Sequence, residues 1–189
     1  MIPERREIVR LLALHDVPRH IVDHSVMVCR VALAIGNTLA GRGLDVDLAL
    51  IEASALLHDL CKMECIRSGL DHASRGEEVL RRYGYPRVAR VVGQHVSLRS
   101  STLDEAMVVN YADKRVMHTR IVPLETRFAD LMERYGTDET RRLRIQKHKV
   151  ACLAIEKTIA DACAWGPRDL ARLRPVPFDE ALDGGQGLG

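Results

Sequence analysis

The spacing of apolar residues is the feature that most limits the folds open to this chain. Apolar side chains recur every three or four positions along most of the 189 residues, and no run alternates convincingly at every second position. The first spacing is the period of an α-helix, whereas a half-buried strand would alternate. Hydrophobic residues make up 47% and charged residues 29%, which is enough for a core and a solvated surface. The sequence therefore predicts an all-α fold.

Turn and cap residues divide the chain into helices but not into separate domains. Pro18 is placed to open a helix, and Thr102-Leu103-Asp104-Glu105 is a capping-box pattern that predicts another helix start. The length suits one domain, so we expect a single bundle of about seven to nine helices. Its predicted parts are an N-terminal helix in residues 1–17, a core in 18–120, further helices in 121–175 and a flexible tail in 176–189.

Charge, apolar run length and cysteine content exclude several classes of protein. A net charge of +2 and 4% aromatic residues do not resemble a nucleic-acid binder. The longest run without Asp, Glu, Lys or Arg has 11 residues, Val31–Gly41, whereas a membrane span needs roughly 20. The five cysteines are odd in number and lack paired zinc-site spacing, and acids occupy the place of a signal peptide's apolar run. We expect a cytoplasmic protein with reduced thiols.

An ionisable pair, His58-Asp59, stands in the most apolar part of its segment, which we predict as one helix from Asp45 or Asp47 to about Lys62. Burying such a pair costs free energy unless it is hydrogen-bonded or bound to a metal. The other His-Asp pair, His15-Asp16, stands at a predicted helix end, where polar residues cost little. The sequence therefore selects His58-Asp59 as the candidate for function.

Two further residues complete a pattern with this pair. His24 lies in the middle of the second predicted helix, and Asp113 lies inside a later one. The order His…His-Asp…Asp, with a lysine three residues after the pair at Lys62, resembles the HD superfamily of metal-dependent phosphohydrolases. The resemblance covers roughly residues 18–120 and implies the HD-domain fold. It also implies a metal site made by His24, His58, Asp59 and Asp113.

His72 and His95 extend the resemblance, because members with two metals carry additional histidines between the His-Asp pair and the last Asp. The implied second site consists of Asp59, His72 and His95, with Asp59 bridging both ions. Imidazoles and carboxylates without thiolates suit iron or manganese better than a cysteine-type zinc site. Two such ions, about 3.5–4 Å apart, can acidify a water molecule and stabilise charge on a phosphoryl group.

The expected activity is hydrolysis of a phosphate ester or anhydride in a nucleotide or another small phosphorylated metabolite. The ligand order is similar to that of small bacterial HD hydrolases acting on dinucleoside polyphosphates. Asp59 and Lys62 are the candidate catalytic residues. Four basic residues near the ligands in sequence are candidates for substrate binding, although each could instead be solvated or ion-paired: Lys62, Arg75, Lys114 and Arg115.

Two other functions remain open at this point. Some HD-fold proteins use the same six-residue order to hold two irons and activate oxygen, and the ligand set does not separate them from hydrolases. A regulatory HD domain without activity would be marked by loss of ligands, and none of the six is missing. The substrate and the native metal also stay open, as does assembly into a homodimer, while no membrane or nucleic-acid partner is expected.

Overall fold

A computed structural model describes residues 1–174 of the chain, and this part is helical except for one short hairpin. Seven of its helices have ten or more residues and three are shorter, which confirms the predicted all-α bundle. None of the helices in this part combines the length and apolar character that crossing a bilayer requires. The predicted tail, residues 176–189, lies outside the described residues. The helices are α1 (Arg5–Leu14), α2 (Arg19–Gly41), α3 (Leu48–Leu57), α4 (Lys62–Ser68), α5 (His72–Arg82), α6 (Pro86–Val92), α7 (Glu105–Arg115), α8 (Leu124–Tyr135), α9 (Glu139–Cys163) and α10 (Pro167–Ala171).

Helix α2 runs through the centre of the bundle and packs against α3, α7 and α9. Its apolar stripe, including Val28, Ile35 and Leu39, is fully buried, and each such side chain contributes roughly 1.5–3 kcal/mol by leaving water. Gly36 permits the close approach of α3, because a Cβ atom there would lie 2.8 Å from Ile51 Cδ1. This packing fixes the position of α2 within the bundle.

Aspartate N-caps fix the starts of four helices, and each stabilises its helix by about 1 kcal/mol. The caps are Asp47 for α3, Asp71 for α5, Asp104 for α7 and Asp138 for α9. The predicted capping box differs in detail, since Asp104 rather than Thr102 caps α7. Glu105 instead accepts a hydrogen bond from the backbone N–H of Asp47 at 2.9 Å, which links α7 to α3.

The helix predicted from Asp45 or Asp47 to about Lys62 is interrupted, which corrects the expectation that His58-Asp59 lies within one helix. Helix α3 ends at Leu57, and a turn over residues 58–61 leads into α4. Leu60 N donates to Leu57 O at 3.1 Å and Lys62 N to Asp59 O at 3.0 Å, which is the tighter 3₁₀ pattern. The turn buries both His58 and Asp59, at 1% and 2% exposure.

A hairpin replaces the end of the helix predicted to reach about His118. Helix α7 ends at Arg115, and β1 (Val116–Met117) pairs antiparallel with β2 (Arg120–Ile121). His118 sits at the hairpin tip with a φ of 57°. The hairpin packs beside α2, and it thereby carries backbone carbonyl groups to the end of the bundle that holds His24.

Candidate metal centre

The structure brings all six ligands implied by the sequence into two adjoining clusters. They come from separate elements: α2, the turn after α3, the start of α5, the turn after α6, and α7. Within each cluster the ligand atoms lie within 4.8 Å of one another. The first cluster is His24, His58 and Asp113, and the second is Asp59, His72 and His95.

Asp113 joins the two histidines of the first cluster. Its Oδ1 atom lies 3.1 Å from His24 Nε2 and 3.6 Å from His58 Nε2. His58 Nε2 also lies 3.4 Å from Asp59 Oδ2. The first cluster therefore faces Asp59, which the HD resemblance also implies as a ligand of the first ion.

Asp59 presents its other oxygen to the second cluster. Its Oδ1 atom lies 3.4 Å from His72 Nε2 and 3.7 Å from His95 Nε2. The Asp59 carboxylate therefore faces both clusters with different oxygens, as a bridging ligand would. His72 is the most accessible of these side chains, at 28% exposure.

Backbone carbonyl groups orient three of the four histidines. Each accepts a hydrogen bond from a histidine Nδ1–H, which leaves the lone pair of Nε2 free and directed into the clusters. The pairs are His24 with His118 O at 2.9 Å, His58 with Ala55 O at 2.8 Å, and His95 with Val92 O at 2.7 Å. The hairpin tip, the last turn of α3 and the end of α6 thus set the three rings.

The environment of His58 tests whether a metal fits this centre. Its Nε2 atom is buried and has no hydrogen-bond partner among the described residues, and an unpaired buried polar atom costs about 1–3 kcal/mol. Its nearest charged neighbours are the oxygens of Asp59 and Asp113. A divalent cation would accept the lone pair and neutralise both carboxylates. The donor set of nitrogen and oxygen atoms fits iron or manganese.

Without a metal, the carboxylates hold a proton on His58 instead. Burial disfavours the charged ring, but Asp59 and Asp113 outweigh it and raise the His58 pKa to about 10. Both carboxylates have pKa values well below the usual range despite their burial, because the charge of His58 lowers the Asp59 pKa and the charge of Lys114, with His58, lowers the Asp113 pKa. Burial and the His58 charge lower the His95 pKa to about 3. The centre is built to hold positive charge between its carboxylates.

Two lysines contact the carboxylates of the clusters, Lys62 that of Asp59 and Lys114 that of Asp113. Lys62 Nζ donates to Asp59 Oδ2 at 2.6 Å, and its side chain is 36% exposed. Lys114 Nζ is buried, where it donates to Asp113 Oδ2 and lies 3.2 Å from His95 O. Lys62 therefore faces the opening of the centre, whereas Lys114 supports Asp113 from the interior.

The other two basic candidates are not brought to the opening. Arg75 forms surface ion pairs with Glu64 and Glu78, both at 2.9 Å. Arg115 is buried and donates to Val122 O at 2.8 Å and Leu170 O at 2.6 Å. Closeness in sequence to a ligand is a poor guide here. Arg115 is two residues from Asp113 and so points to the opposite side of α7, whereas Arg75 is paired with surface carboxylates although it follows His72 by three residues.

A cleft of about 400 Å³ opens onto this centre, which is within the usual range for small-molecule sites. Asp59, Lys62 and His24 are among the residues that line it. The exposed His20 lines it, as do residues of the hairpin and of α8. Arg127 and Arg134 of α8 were not identified from the sequence, where only their charge distinguishes them.

The family comparison agrees with the geometry. The model of the HD domain matches residues 21–117, which contain all six clustered residues. The chain belongs to the HD-domain family. Membership of this family, together with the two clusters, supports a metal-dependent hydrolase. Helices α8 to α10 lie outside the matched HD-domain segment.

Individual proteins similar to this HD-domain chain are distant from it. An uncharacterized protein of Methanocaldococcus jannaschii is 23% identical over 144 residues, covering 67% of this chain and 83% of that protein. A tRNA (cytidine(56)-2'-O)-methyltransferase of Thermoplasma volcanium is 30% identical over 97 residues, covering 51% of this chain but 27% of that protein. The crystal structure of a predicted HD superfamily hydrolase from an uncultured Thermotogales bacterium is 23% identical with a TM-score of 0.46, covering 87% of this chain and 95% of that one.

Proposed function

We propose that this protein is a divalent-metal-dependent phosphohydrolase that cleaves a phosphate ester or anhydride of a nucleotide-like small molecule. The observation that carries the proposal is the shared carboxylate of Asp59. It faces His58 on one side and His72 on the other, both at 3.4 Å, and it forms part of the cleft wall. This arrangement supports two ions, iron or manganese, placed next to each other where a substrate can enter.

The six clustered residues would hold the ions, with Asp59 between them. Bound divalent ions supply a water molecule of lowered pKa and positive charge beside the phosphoryl oxygens. The rings of His24, His58 and His95 are held by backbone carbonyls, so these ligands need little reorganisation. Such prior orientation removes part of the entropic cost of the reaction.

Lys62 is the residue placed to bind a phosphoryl oxygen. Its ammonium group is paired with Asp59 Oδ2, an atom that a cation would also attract. A cation bound to Asp59 would weaken this pairing, and the partly exposed Lys62 could then turn toward an anion in the cleft. Asp59 and Lys62 would thus act together, the first in holding ions and the second in holding the substrate.

The apolar side chains that line the cleft would fit an organic part of the substrate. Apolar and aromatic side chains line the cleft alongside the cationic ones: Ile21, Met63, Ile66, Leu131 and Tyr135. A cleft that combines positive charge with apolar surface suits a phosphorylated compound with a ring or chain, such as a nucleotide. The aromatic ring of Tyr135, 57% exposed, could contact a planar base.

Phosphate release under defined metal conditions tests the proposal. Protein purified without chelators is loaded with Mn²⁺ and assayed anaerobically against nucleoside mono-, di- and polyphosphates. We expect the wild type to release phosphate and Asp59→Ala to lose at least about 10³-fold in turnover. Asp45→Ala, which removes an exposed carboxylate outside the clusters, is the matched control and should retain activity.

Two results would contradict the proposal. One is phosphate release that persists in Asp59→Ala, since the shared carboxylate would then not be needed. The other is absence of phosphate release from every compound together with substrate-dependent oxygen consumption by the iron-loaded protein. That second result would identify an oxygenase instead.

A further inference from the structure

Helix α8 forms one wall of the cleft although it lies outside the residues matched by the HD-domain model. Its cleft-lining residues are Arg127, Leu131, Arg134 and Tyr135. Their spacing of three and four places them on one face of the helix. The cleft therefore has a wall with two arginines that the shared part of the family does not supply.

Arg127 is partly buried in this wall and incompletely paired. Its side chain is 18% exposed, and Nη1 lies 3.2 Å from Asp130 Oδ2. Its Nε atom is buried without a hydrogen-bond partner in the part of the chain that the structure describes. A buried N–H of a cationic group is costly when unpaired, so the site favours an acceptor that the described residues do not provide.

The charge around Arg127 also favours an anion. Asp130 pairs with Arg127 and, through its Oδ1 at 2.7 Å, with Arg134. One carboxylate therefore serves two guanidinium groups, which leaves a surplus positive charge on the wall. A guanidinium group can donate two parallel hydrogen bonds to a phosphate or carboxylate, a geometry that lysine lacks.

Arg127 and Lys62 line the same cleft from two different helices. Lys62 is bonded to Asp59 at the metal centre, whereas Arg127 is on α8. Both side chains carry a positive charge, and each can pair with an anionic group. The cleft thus offers cationic side chains on two different helices, one for each of two anionic groups of a substrate.

We propose that Arg127 binds a second anionic group of the substrate, adjacent to the phosphoryl group held at the metal centre. The inference rests on the proposed function and narrows it to compounds with two neighbouring anionic groups, such as phosphoanhydrides. Arg127 is thus a specificity-determining residue supplied by α8.

Equilibrium binding separates this role from catalysis. The probes are imidodiphosphate, a slowly hydrolysed compound with two anionic groups, and methylphosphonate, which has one. Calorimetric titration into Mn²⁺-loaded protein should show that Arg127→Gln weakens imidodiphosphate binding about 10- to 100-fold and changes methylphosphonate binding less than about twofold. Arg127→Lys should restore part of the loss. Arg141→Gln is the matched control, because Arg141 pairs with Asp138 at the same spacing and does not line the cleft.

A second variant keeps the test decisive if Arg127→Gln folds poorly. Asp130→Asn removes the carboxylate that competes for the guanidinium group and should tighten imidodiphosphate binding. If the Arg127–Asp130 pair is merely structural, Asp130→Asn will instead weaken both probes equally, which would overturn the inference.

The outcomes also distinguish this inference from the proposed function. If Arg127→Gln selectively loses imidodiphosphate binding while the wild type hydrolyses no phosphorylated compound, the anion site stands and the phosphohydrolase proposal fails. If the wild type hydrolyses phosphate compounds but Arg127→Gln binds imidodiphosphate normally, the function stands and the role of Arg127 is rejected.

Discussion

The Nε2 atoms of His72 and His95 lie 3.0 Å apart, although His72 begins α5 and His95 follows α6. His95 donates through Nδ1 to Val92 O, so its Nε2 presents a lone pair to His72. Two such lone pairs repel at this distance unless a proton or a cation lies between them. Asp59 Oδ1 lies 3.4 Å from His72 Nε2 and would be a third ligand for such a cation. A second metal ion would therefore depend on His72 as a ligand.

Metal analysis of His72→Ala tests this dependence. We expect about two ions per chain in the wild type and about one in the variant, because the first cluster does not include His72. His20→Ala is the control, since His20 is an exposed histidine that lines the cleft but belongs to neither cluster. A metal content near one in both wild type and His72→Ala would remove the second ion.

The N-cap of α5 should affect both stability and metal binding. Asp71 accepts hydrogen bonds from the N–H groups of Ala73 and Ser74 and so fixes the turn that carries His72. Asp71→Ala should lower the free energy of unfolding by about 1 kcal/mol and weaken the second ion about 10- to 100-fold. Urea unfolding and metal titration measure the two effects.

The cap of α9 supplies the matched control for Asp71. Asp138 caps that helix through Arg141 N at 2.8 Å and is not one of the clustered residues. Asp138→Ala should cost similar stability without changing metal affinity. Equal weakening of metal binding by both variants would show that Asp71 acts through general stability alone.

The metal-free protein should become less stable as the pH rises above about 7.5. The His58 pKa increases from 6.5 in the unfolded chain to about 10 in the fold, so the folded state keeps a proton that the unfolded state loses. Below pH 6.5 both states are protonated and the contribution is complete. Between about pH 7.5 and 8.5 the free energy of unfolding should fall by up to about 1.4 kcal/mol per pH unit, as measured by urea unfolding with a chelator.

Neighbouring groups do not obscure this range of pH. Burial lowers the pKa of His95 to about 3 and that of His148 to about 4, so both oppose the decline only until the unfolded histidines have lost their protons, at about pH 7.5. Burial raises the pKa values of the cysteine thiols, so their destabilising effect begins only as unfolded thiols ionise near pH 9.0. Saturating Mn²⁺ should abolish the decline, because the ion replaces the proton on His58. Stability that is constant or rises with pH over this range in the metal-free protein would contradict the prediction.

Arg115 should be important for stability and not for metal binding. Its buried guanidinium group ties α7 to the carbonyls of Val122 and Leu170 and also contacts Tyr111. Arg115→Ala should lower the free energy of unfolding by about 3–5 kcal/mol, because it leaves buried polar partners unsatisfied. Arg75→Ala, which removes exposed ion pairs, should cost less than about 1 kcal/mol. Loss of bound metal in a still-folded Arg115→Ala protein would contradict this assignment.

Local patterns in the sequence were sufficient to predict most of the helices. The positions of apolar residues define α2, and Pro86 and the aspartate caps mark several helix starts, because such signals act within a few residues. The turn at residues 58–61 was not predicted, since the apolar run continues through it. Its tight hydrogen bonds direct the adjacent side chains of His58 and Asp59 toward the two clusters. Because the rest of those clusters comes from other helices, no local pattern predicts this turn.

An all-α chain and the six residues of the HD pattern can be recognised from residue order alone, because helical periodicity is local and the resemblance depends on residue type and spacing. The packing of the whole bundle set which atoms face one another. It placed the two oxygens of Asp59 on different clusters, moved Arg115 into the core and brought Arg127 to the cleft. Those positions depend on how α7 and α8 rotate against their neighbours, which is set by packing over the whole bundle and is not encoded in any short segment.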